Sequence, residues 1–139
     1  MTEKGGIVMV AAALLLPLSV GCGPRVPSDP LQAQAWEHGV EIMGVQLMAD
    51  GQFARLNYRV VDYKKAKQSL KGEVDLLAEG ADRPLPVAST GRLGPLRQRP
   101  SSTGRAQFML FTNFAGTLRK GDSAILRIGD KRISGIPVT

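Results

Sequence analysis

The sequence predicts an all-β domain, an immunoglobulin-like antiparallel β-sandwich of about seven strands, preceded by an N-terminal signal helix. Two observations support this prediction. Short segments alternate apolar and polar residues with period two, and turn residues rich in Gly, Asp and Pro separate them at short intervals. The cysteine pair of true immunoglobulin domains is absent, so an open barrel built from the same strands is the alternative.

Residues 1–21 have the pattern of an export signal. Lys4 gives a charged start, residues 7–16 form an apolar run, and Ser19 and Gly21 are small residues placed before a possible cleavage point. The apolar run is shorter than the roughly 20 residues that a membrane-spanning helix needs. We therefore expect cleavage and not permanent insertion.

Cys22 directly follows Gly21 and is the single cysteine of the chain, so it cannot close an internal disulfide. This arrangement resembles the lipobox of bacterial lipoproteins, although Ser19 stands where that family usually has Leu. The resemblance implies that Gly21 is the last residue removed, that Cys22 carries the lipid, and that Gly23, which is not Asp, directs the protein to the outer membrane facing the periplasm. The alternative is a plain signal peptide with a buried or free thiol.

The remaining chain, residues 22–139, is long enough for one domain. Lys and Arg number 18 against 12 Asp and Glu, so the net charge is +6. A basic surface favours anionic membranes or acidic partners. Nucleic acid is not expected as a partner, because the chain is exported and carries no aromatic and basic binding signature.

Residues 22–38 are predicted to be a tether and residues 39–139 the β-sandwich domain. Residues 30–37 are predicted to form either a short helix, starting at Pro30 with Asp29 as its N-cap, or an ordered lead-in to the first strand. Residues 40–48 and 53–61 are predicted to form a hairpin around Asp50-Gly51, because both residues tolerate positive φ. The apolar alternation changes phase at Gly44, which indicates a β-bulge.

Residues 62–71 break the alternation and predict a short crossover helix capped by Asp62, with Ala66 and Leu70 facing inward. Residues 74–78 form the next predicted strand. Leu85 and Val87 are predicted to make a short partner strand, and the flanking prolines confine it to a sheet edge.

Residues 88–104 are predicted to be a long segment without regular structure. A central strand over residues 106–112 and strands over 124–128 and 132–138 follow. Four sequence stretches, at 62–66, 94–98, 108–113 and 128–130, resemble a set of uncharacterised bacterial exported or lipid-anchored β-sandwich proteins. This resemblance spans residues 40–138 and implies the fold, but it brings no assigned activity.

Catalytic and metal sites find little support in the sequence. His38 is the only histidine and lies in no recognisable nucleophile motif, and Gly-x-Ser-x-Gly is absent. We therefore expect no enzymatic activity and no cofactor. A copper site could use His38 with Met43, Met48 and Met109, but core packing of the methionines and a surface or capping role for the histidine are the favoured interpretations.

The candidate contact site is a group of arginines in and just after the long segment, where guanidinium groups could hold phosphate or carboxylate. A solvated loop is the equal alternative, and the lysines of residues 62–71 are interpreted as a solvated helix face. The expected function is that of a membrane-anchored, non-enzymatic binding or assembly module with an envelope protein as partner. The alternatives are a binder of anionic glycan or lipid head groups through this loop, and a copper-handling domain. The four arginines of the candidate contact site are Arg92, Arg97, Arg99 and Arg105.

Overall fold

The computed structural model describes residues 27–139. The expectations for the signal helix, for cleavage after Gly21 and for lipidation of Cys22 concern residues outside this range. Within residues 27–139, neither helix has the length and the apolar character needed to cross a membrane.

The described chain forms two short helices and eight strands. The helices are α1 (Pro30–Trp36) and α2 (Tyr63–Ser69). The strands are β1 (Val40–Met48), β2 (Phe53–Val60), β3 (Val74–Ala78), β4 (Ser89–Thr90), β5 (Gly94–Pro95), β6 (Ala106–Thr112), β7 (Ser123–Ile128) and β8 (Lys131–Pro137).

Six of the strands form two antiparallel three-stranded sheets, in the orders β1-β2-β6 and β3-β7-β8, and β4 pairs with β5 in a two-stranded ribbon. The inward faces of both three-stranded sheets contribute to one hydrophobic core. Alternate residues of β2 and β7 are buried, as the period of a half-buried strand requires. The all-β class is therefore confirmed. The largest fully buried side chains include Tyr58, Phe111, Ile42, Leu56, Leu76 and Leu126.

The predicted hairpin is confirmed. β1 pairs with β2 from Val40 opposite Val60 to Met48 opposite Phe53. In its loop, Ala49 and Asp50 have positive φ angles of 53° and 56°. Positive φ was expected at Asp50 and Gly51, and the structure shows that Ala49 adopts this strained conformation as well.

The bulge in β1 is also confirmed, because the register shifts between Ile42 and Gly44. Met43 is the extra residue, and 53% of its side chain is exposed. Met48, at the end of β1, is 39% exposed. The prediction that these two methionines fill the core is therefore wrong: the bulge turns Met43 outward, and Met48 ends the strand beside the hairpin loop. Met109 is buried as expected.

Helix α1 forms where the Asp29 N-cap predicts it, and the Asp29 carboxylate accepts from the Leu31 N–H at 3.1 Å. Two glutamine side chains attach this helix to both sheets. Gln32 donates to the carbonyl of Ile42 on β1 at 2.7 Å and accepts from its N–H at 2.9 Å, and Gln34 accepts from the Ser134 N–H on β8 at 3.1 Å. Residues 30–36 thus pack on the domain, although they lie inside the segment predicted to be a tether.

Helix α2 is confirmed with its predicted cap, since the Asp62 carboxylate accepts from the Lys65 N–H at 3.2 Å. Ala66 and Leu70 are buried, as expected. The start of α2 packs closely on Gly39, where a Cβ atom would lie 2.5 Å from the Asp62 carbonyl oxygen. This contact fixes α2 against the entrance to β1.

Residues 85–87 lie on sheet edges, as their prolines require, but they do not form one strand. Leu85 pairs with Leu76 of β3, and Val87 pairs with Phe111 of β6. The prediction of a single partner strand is therefore wrong, because the chain crosses from one sheet to the other between these residues. Chain segments that switch sheets in this way form the corners of β-sandwiches.

Residues 88–104 are not a structureless loop, contrary to the prediction. The ribbon of β4 and β5 projects from the edge of β6, and the chain returns to that edge on both sides of it. The Ala88 N–H donates to the Leu110 carbonyl at 2.8 Å, and the Leu110 N–H donates to the Leu96 carbonyl at 3.0 Å. β6 is therefore bonded on both sides over this stretch, which fits its predicted central position.

The end of the chain joins the two sheets at the opposite edge. Val138 pairs in parallel with Val45 of β1, the Thr139 N–H donates to the Val45 carbonyl at 2.8 Å, and the Leu47 N–H donates to the Thr139 carbonyl at 2.9 Å. Both edges of the sandwich are thus bridged, which gives the two-sheet arrangement a barrel-like closure.

Candidate functional site

The four arginines predicted as a contact site lie in different surroundings. Arg92 is exposed in the turn between β4 and β5, and Arg105 is exposed at the start of β6, where its carbonyl accepts from the Val60 N–H at 3.2 Å. Arg97 and Arg99 lie near each other, but they line different cavities. The candidate site therefore depends on what surrounds each of these two residues.

The Arg97 side chain is half-buried and has a structural contact. One terminal nitrogen, Nη1, donates to the Gly72 carbonyl at 2.8 Å, which ties the segment to the turn between α2 and β3. Its Nε is buried and has no hydrogen-bond partner among residues 27–139. Burial, and then the like charge of Arg99, lower the pKa of Arg97. Arg97 is therefore held in place, with little freedom to follow a ligand.

Tyr58 fixes the backbone between the two arginines. This residue belongs to the core, and its hydroxyl donates to the Gln98 carbonyl at 2.6 Å. Burial raises the pKa of Tyr58 to about 12, and the positive charge of Arg97 opposes that rise. The neutral phenol therefore remains a hydrogen-bond donor at neutral pH.

Gln107 holds the next part of the segment. It lies on the inward face of β6 and is 8% exposed. Its amide nitrogen donates to the Arg99 carbonyl, and its amide oxygen accepts from the Ser101 N–H at 3.1 Å. Both functional groups of a buried amide are thus satisfied, as burial requires. The backbone that carries Arg99 is therefore bound directly to the sheet.

The segment is also connected to α2. The Thr103 hydroxyl accepts from the Tyr63 N–H at 3.3 Å, and the Gly104 N–H donates to the Val60 carbonyl at 2.7 Å. These bonds attach the segment to the chain just before and at the start of α2. Arg99 consequently faces the side chains of that helix.

A cleft of about 640 Å³ lies between α2 and this segment, and we call it the basic cleft. Its wall includes the apolar and aromatic surface of Tyr63, Leu70 and Pro100, together with Gln68. No carboxylate of the described part of the chain is among its lining residues. Its four cationic side chains are Lys64, Lys67, Lys71 and Arg99.

The lysines face the cleft because of their spacing. Positions three apart share one face of a helix, so Lys64 and Lys67 lie on the same side of α2, and Lys71 follows in the turn just after the helix. The Lys67 Nζ lies 5.9 Å from the centroid of the Tyr63 ring, at the outer limit of a cation–π contact. Within residues 27–139, none of the four cations forms a salt bridge, and their charge is available to a ligand.

Cations concentrated in one cleft attract anions, and phosphate or carboxylate groups can accept their hydrogen bonds. The cleft volume lies within the range of small-molecule sites, about 300–1,000 Å³. The arrangement can therefore bind and orient an anionic ligand.

The residues of the possible copper site are not brought together. Met109 is in the core, while Met43 and Met48 are exposed. In the described part of the chain, no group of three or more His, Cys, Asp and Glu side chains could hold a metal ion.

His38 is only 6% exposed, so the expected surface position is wrong. Its Nδ1 has no hydrogen-bond partner within residues 27–139. Burial lowers the pKa of His38, and the charge of Lys131 lowers it further, while Glu37 opposes the shift. The neutral imidazole is therefore favoured in the folded protein.

Two features of the basic cleft were missed by the sequence analysis. The lysines of α2 were interpreted as a solvated face separate from the arginines, and Gln107 was not singled out. A signal for Gln107 exists in the sequence, since it occupies the same phase of β6 as Met109 and Phe111, which are buried. A glutamine at an inward-facing strand position must find hydrogen-bond partners.

Comparison of this chain with protein-family models, with curated proteins and with solved structures found no match.

Proposed function

We propose that this chain is a lipid-anchored, non-enzymatic binding module of the bacterial cell envelope, and that its contact site is the basic cleft. The proposal depends on the four cations that line this cleft, where no carboxylate of the described residues is part of the lining, and on the hydrogen bonds from Tyr58 and Gln107 that hold the backbone next to and at Arg99. Because the backbone at Arg99 is already fixed, less conformational entropy is lost there when a ligand binds. The anionic-ligand alternative thus gains support, although its residues differ from the four arginines first considered.

The anchor is part of this proposal. Its support is the lipobox-like sequence that ends in Gly21-Cys22, followed by Gly23, which favours the outer membrane facing the periplasm. Two lipid chains or more are needed for lasting attachment, because a single acyl chain binds membranes only marginally. We expect Cys22→Ala to abolish palmitate labelling of the full chain and to reduce its recovery in the membrane fraction. Unchanged labelling would remove the anchor from the proposal.

In-cell crosslinking with mass spectrometry tests the contact site. The cleft variant Lys67→Ala/Arg99→Ala is compared with Arg119→Ala/Lys120→Ala, which also removes two exposed cations but lies in the turn before β7. We expect the crosslinked products of the wild type to be lost in the cleft variant and retained in the control. Equal products from both variants would contradict the assignment of the cleft.

An immunoglobulin-like assignment of the fold is also a proposal, and the strand order supports it. In immunoglobulin domains one sheet has the order A-B-E-D and the other C-F-G. Here β1-β2-β6 is followed at its edge by residues 86–98, and the second sheet has the order β3-β7-β8. An experimental structure with this strand order and with residues 86–98 paired to β6 is the expected result.

A second candidate contact is an apolar surface at the end of the β1–β2 hairpin, formed by Met48 and Phe53 together with Phe114, which follows β6. Such a surface favours a protein partner of an envelope assembly. Phe114 is 70% exposed, and its ring lies edge-on against Phe53 with the centroids 5.4 Å apart. Met48 pairs with Phe53 in the register of the hairpin. Contiguous exposed apolar surface marks protein contacts. If this surface binds the partner, Phe114→Ser removes the crosslinked protein, whereas Leu93→Ser, at another exposed apolar side chain, leaves it.

A further inference from the structure

The chemistry of the basic cleft specifies its ligand more closely than the word anionic does. We propose that it binds a phosphate ester carrying at least two negative charges, with an apolar or sugar-ring portion that lies on Tyr63 and Pro100. This inference rests on the proposed function, because it assumes that the cleft is the contact site.

The charge of the cleft favours a phosphate ester over a single carboxylate. Among residues 27–139, three lysines and one arginine line the cleft, and no carboxylate does. A single carboxylate would leave most of this positive charge unpaired. A phosphate monoester carries about −1.5 to −2 charges near pH 7 and offers three acceptor oxygens. One or two such groups would match the charge of the cleft.

The excess of lysine over arginine in the cleft also favours a phosphate group. Arginine binds planar carboxylates through two parallel hydrogen bonds, whereas lysine acts as a compact point charge with three freely rotating donors. Several ammonium groups can therefore share the oxygens of one tetrahedral phosphate. Lys64, Lys67 and Lys71 line one wall and Arg99 lies across from them, so the cleft suits phosphate oxygens better than a lone carboxylate.

The size and the lining of the cleft favour a ligand larger than an inorganic anion. Its volume of about 640 Å³ exceeds what an inorganic anion would fill. Leu70 is buried beneath it, and the Tyr63 ring is half-buried. An aromatic ring beside aliphatic side chains provides a surface for the face of a sugar or for the glycerol and first methylenes of a lipid. The ligand therefore has a non-polar portion attached to its phosphate.

Lysine acylation rates in the full chain, read site by site by mass spectrometry, test this proposal. The soluble probe is a hexose 1,6-bisphosphate, the membrane probe is phosphatidic acid in nanodiscs that hold the anchored protein, and the comparator is citrate. At a probe concentration about ten times its dissociation constant, roughly a tenth of the sites stay free. We therefore expect Lys67 and Lys71 to react about tenfold more slowly, with Lys120 unchanged.

The two phosphate probes distinguish the source of the ligand. Protection by the hexose bisphosphate indicates a soluble phosphosugar, and protection by phosphatidic acid alone indicates a lipid head group. Either result supports the phosphate ester. In Arg99→Ala the dissociation constant of the phosphate probe should rise at least about tenfold, since a charge-assisted contact is lost. Arg119→Ala should bind the probe as the wild type does.

Absence of protection by both phosphate probes, or equal protection by citrate, would overturn the phosphate assignment. This failure is distinguishable from failure of the proposed function. If the cleft variant still loses its crosslinked partner in cells while neither phosphate probe binds, then the cleft remains the contact site and the ligand chemistry inferred here is wrong. Protection that does not weaken with added salt would also contradict an electrostatic site.

Discussion

Replacing the buried amide of Gln107 should loosen the segment that carries Arg99 while removing no charge from the basic cleft. Gln107→Ala deletes two hydrogen bonds, one to the Arg99 carbonyl and one from the Ser101 N–H. A net contribution of about 0.5–1.5 kcal/mol for each bond predicts a loss of about 1–3 kcal/mol in the free energy of unfolding. Urea denaturation measures this loss, and the slope with denaturant should not change.

Gln46→Ala is the matched control, since Gln46 is an exposed glutamine on β1 and surface changes of this kind stay within about 0.5 kcal/mol. Hydrogen exchange gives a local measure, because the Ser101 amide should exchange faster in Gln107→Ala. If Gln107→Ala costs no more than Gln46→Ala, and Ser101 exchanges at the wild-type rate, then Gln107 does not position the cleft.

Three further predictions concern the stability of the domain, and urea denaturation measures each of them. Asn113→Ala should cost about 2–4 kcal/mol, because the side chain of this buried residue makes three hydrogen bonds, to the carbonyls of Gly51 and Leu118 and from the Leu118 N–H. The pKa of His38 is lowered in the folded protein, so below about pH 6.5 the unfolded chain binds a proton that the folded chain disfavours. The free energy of unfolding should therefore fall as the pH drops below this value. His38→Phe should flatten this pH dependence. Gly39→Ala should destabilise more than Gly80→Ala, because both glycines have positive φ but only the Cβ at position 39 would meet backbone.

Each of these three predictions has a contradicting result. A cost below about 1 kcal/mol for Asn113→Ala would mean that its hydrogen bonds are readily replaced by water. An unchanged pH dependence in His38→Phe would assign the acid sensitivity to other groups. Equal costs for the two glycine substitutions would show that α2 can move away from residue 39.

Local signals allowed much of the fold to be predicted from the sequence. The hairpin follows from Asp50-Gly51 and from alternation on both sides, and α2 follows from the Asp62 cap with Ala66 and Leu70 on one face. These features depend on residues close together in the chain. Propensity and capping are therefore sufficient to indicate them.

The errors arise where distant segments meet. Nothing local in residues 88–104 indicates that they follow the edge of β6, because their backbone hydrogen bonds to this strand are made with Phe108 and Leu110. Likewise, long-range hydrogen bonds such as those of Gln107 and Thr103 bring Arg99 to α2, so the combination of lysines and arginine in one cleft could not be predicted from either segment alone. Met43 was assigned to the core because the bulge at Gly44 was recognised without working out which residue it turns outward.

Site-specific photocrosslinking tests the central claim most directly. A photoreactive phenylalanine derivative replaces Gln68, an exposed residue in the wall of the basic cleft, or Gln46 on the outer side of β1, in the full chain produced in its native cells. We expect a specific crosslinked ligand or partner from position 68, absent from position 46 and lost when Arg99→Ala is added. Crosslinks of the same kind from both positions, or none from position 68, would contradict the cleft as the contact site.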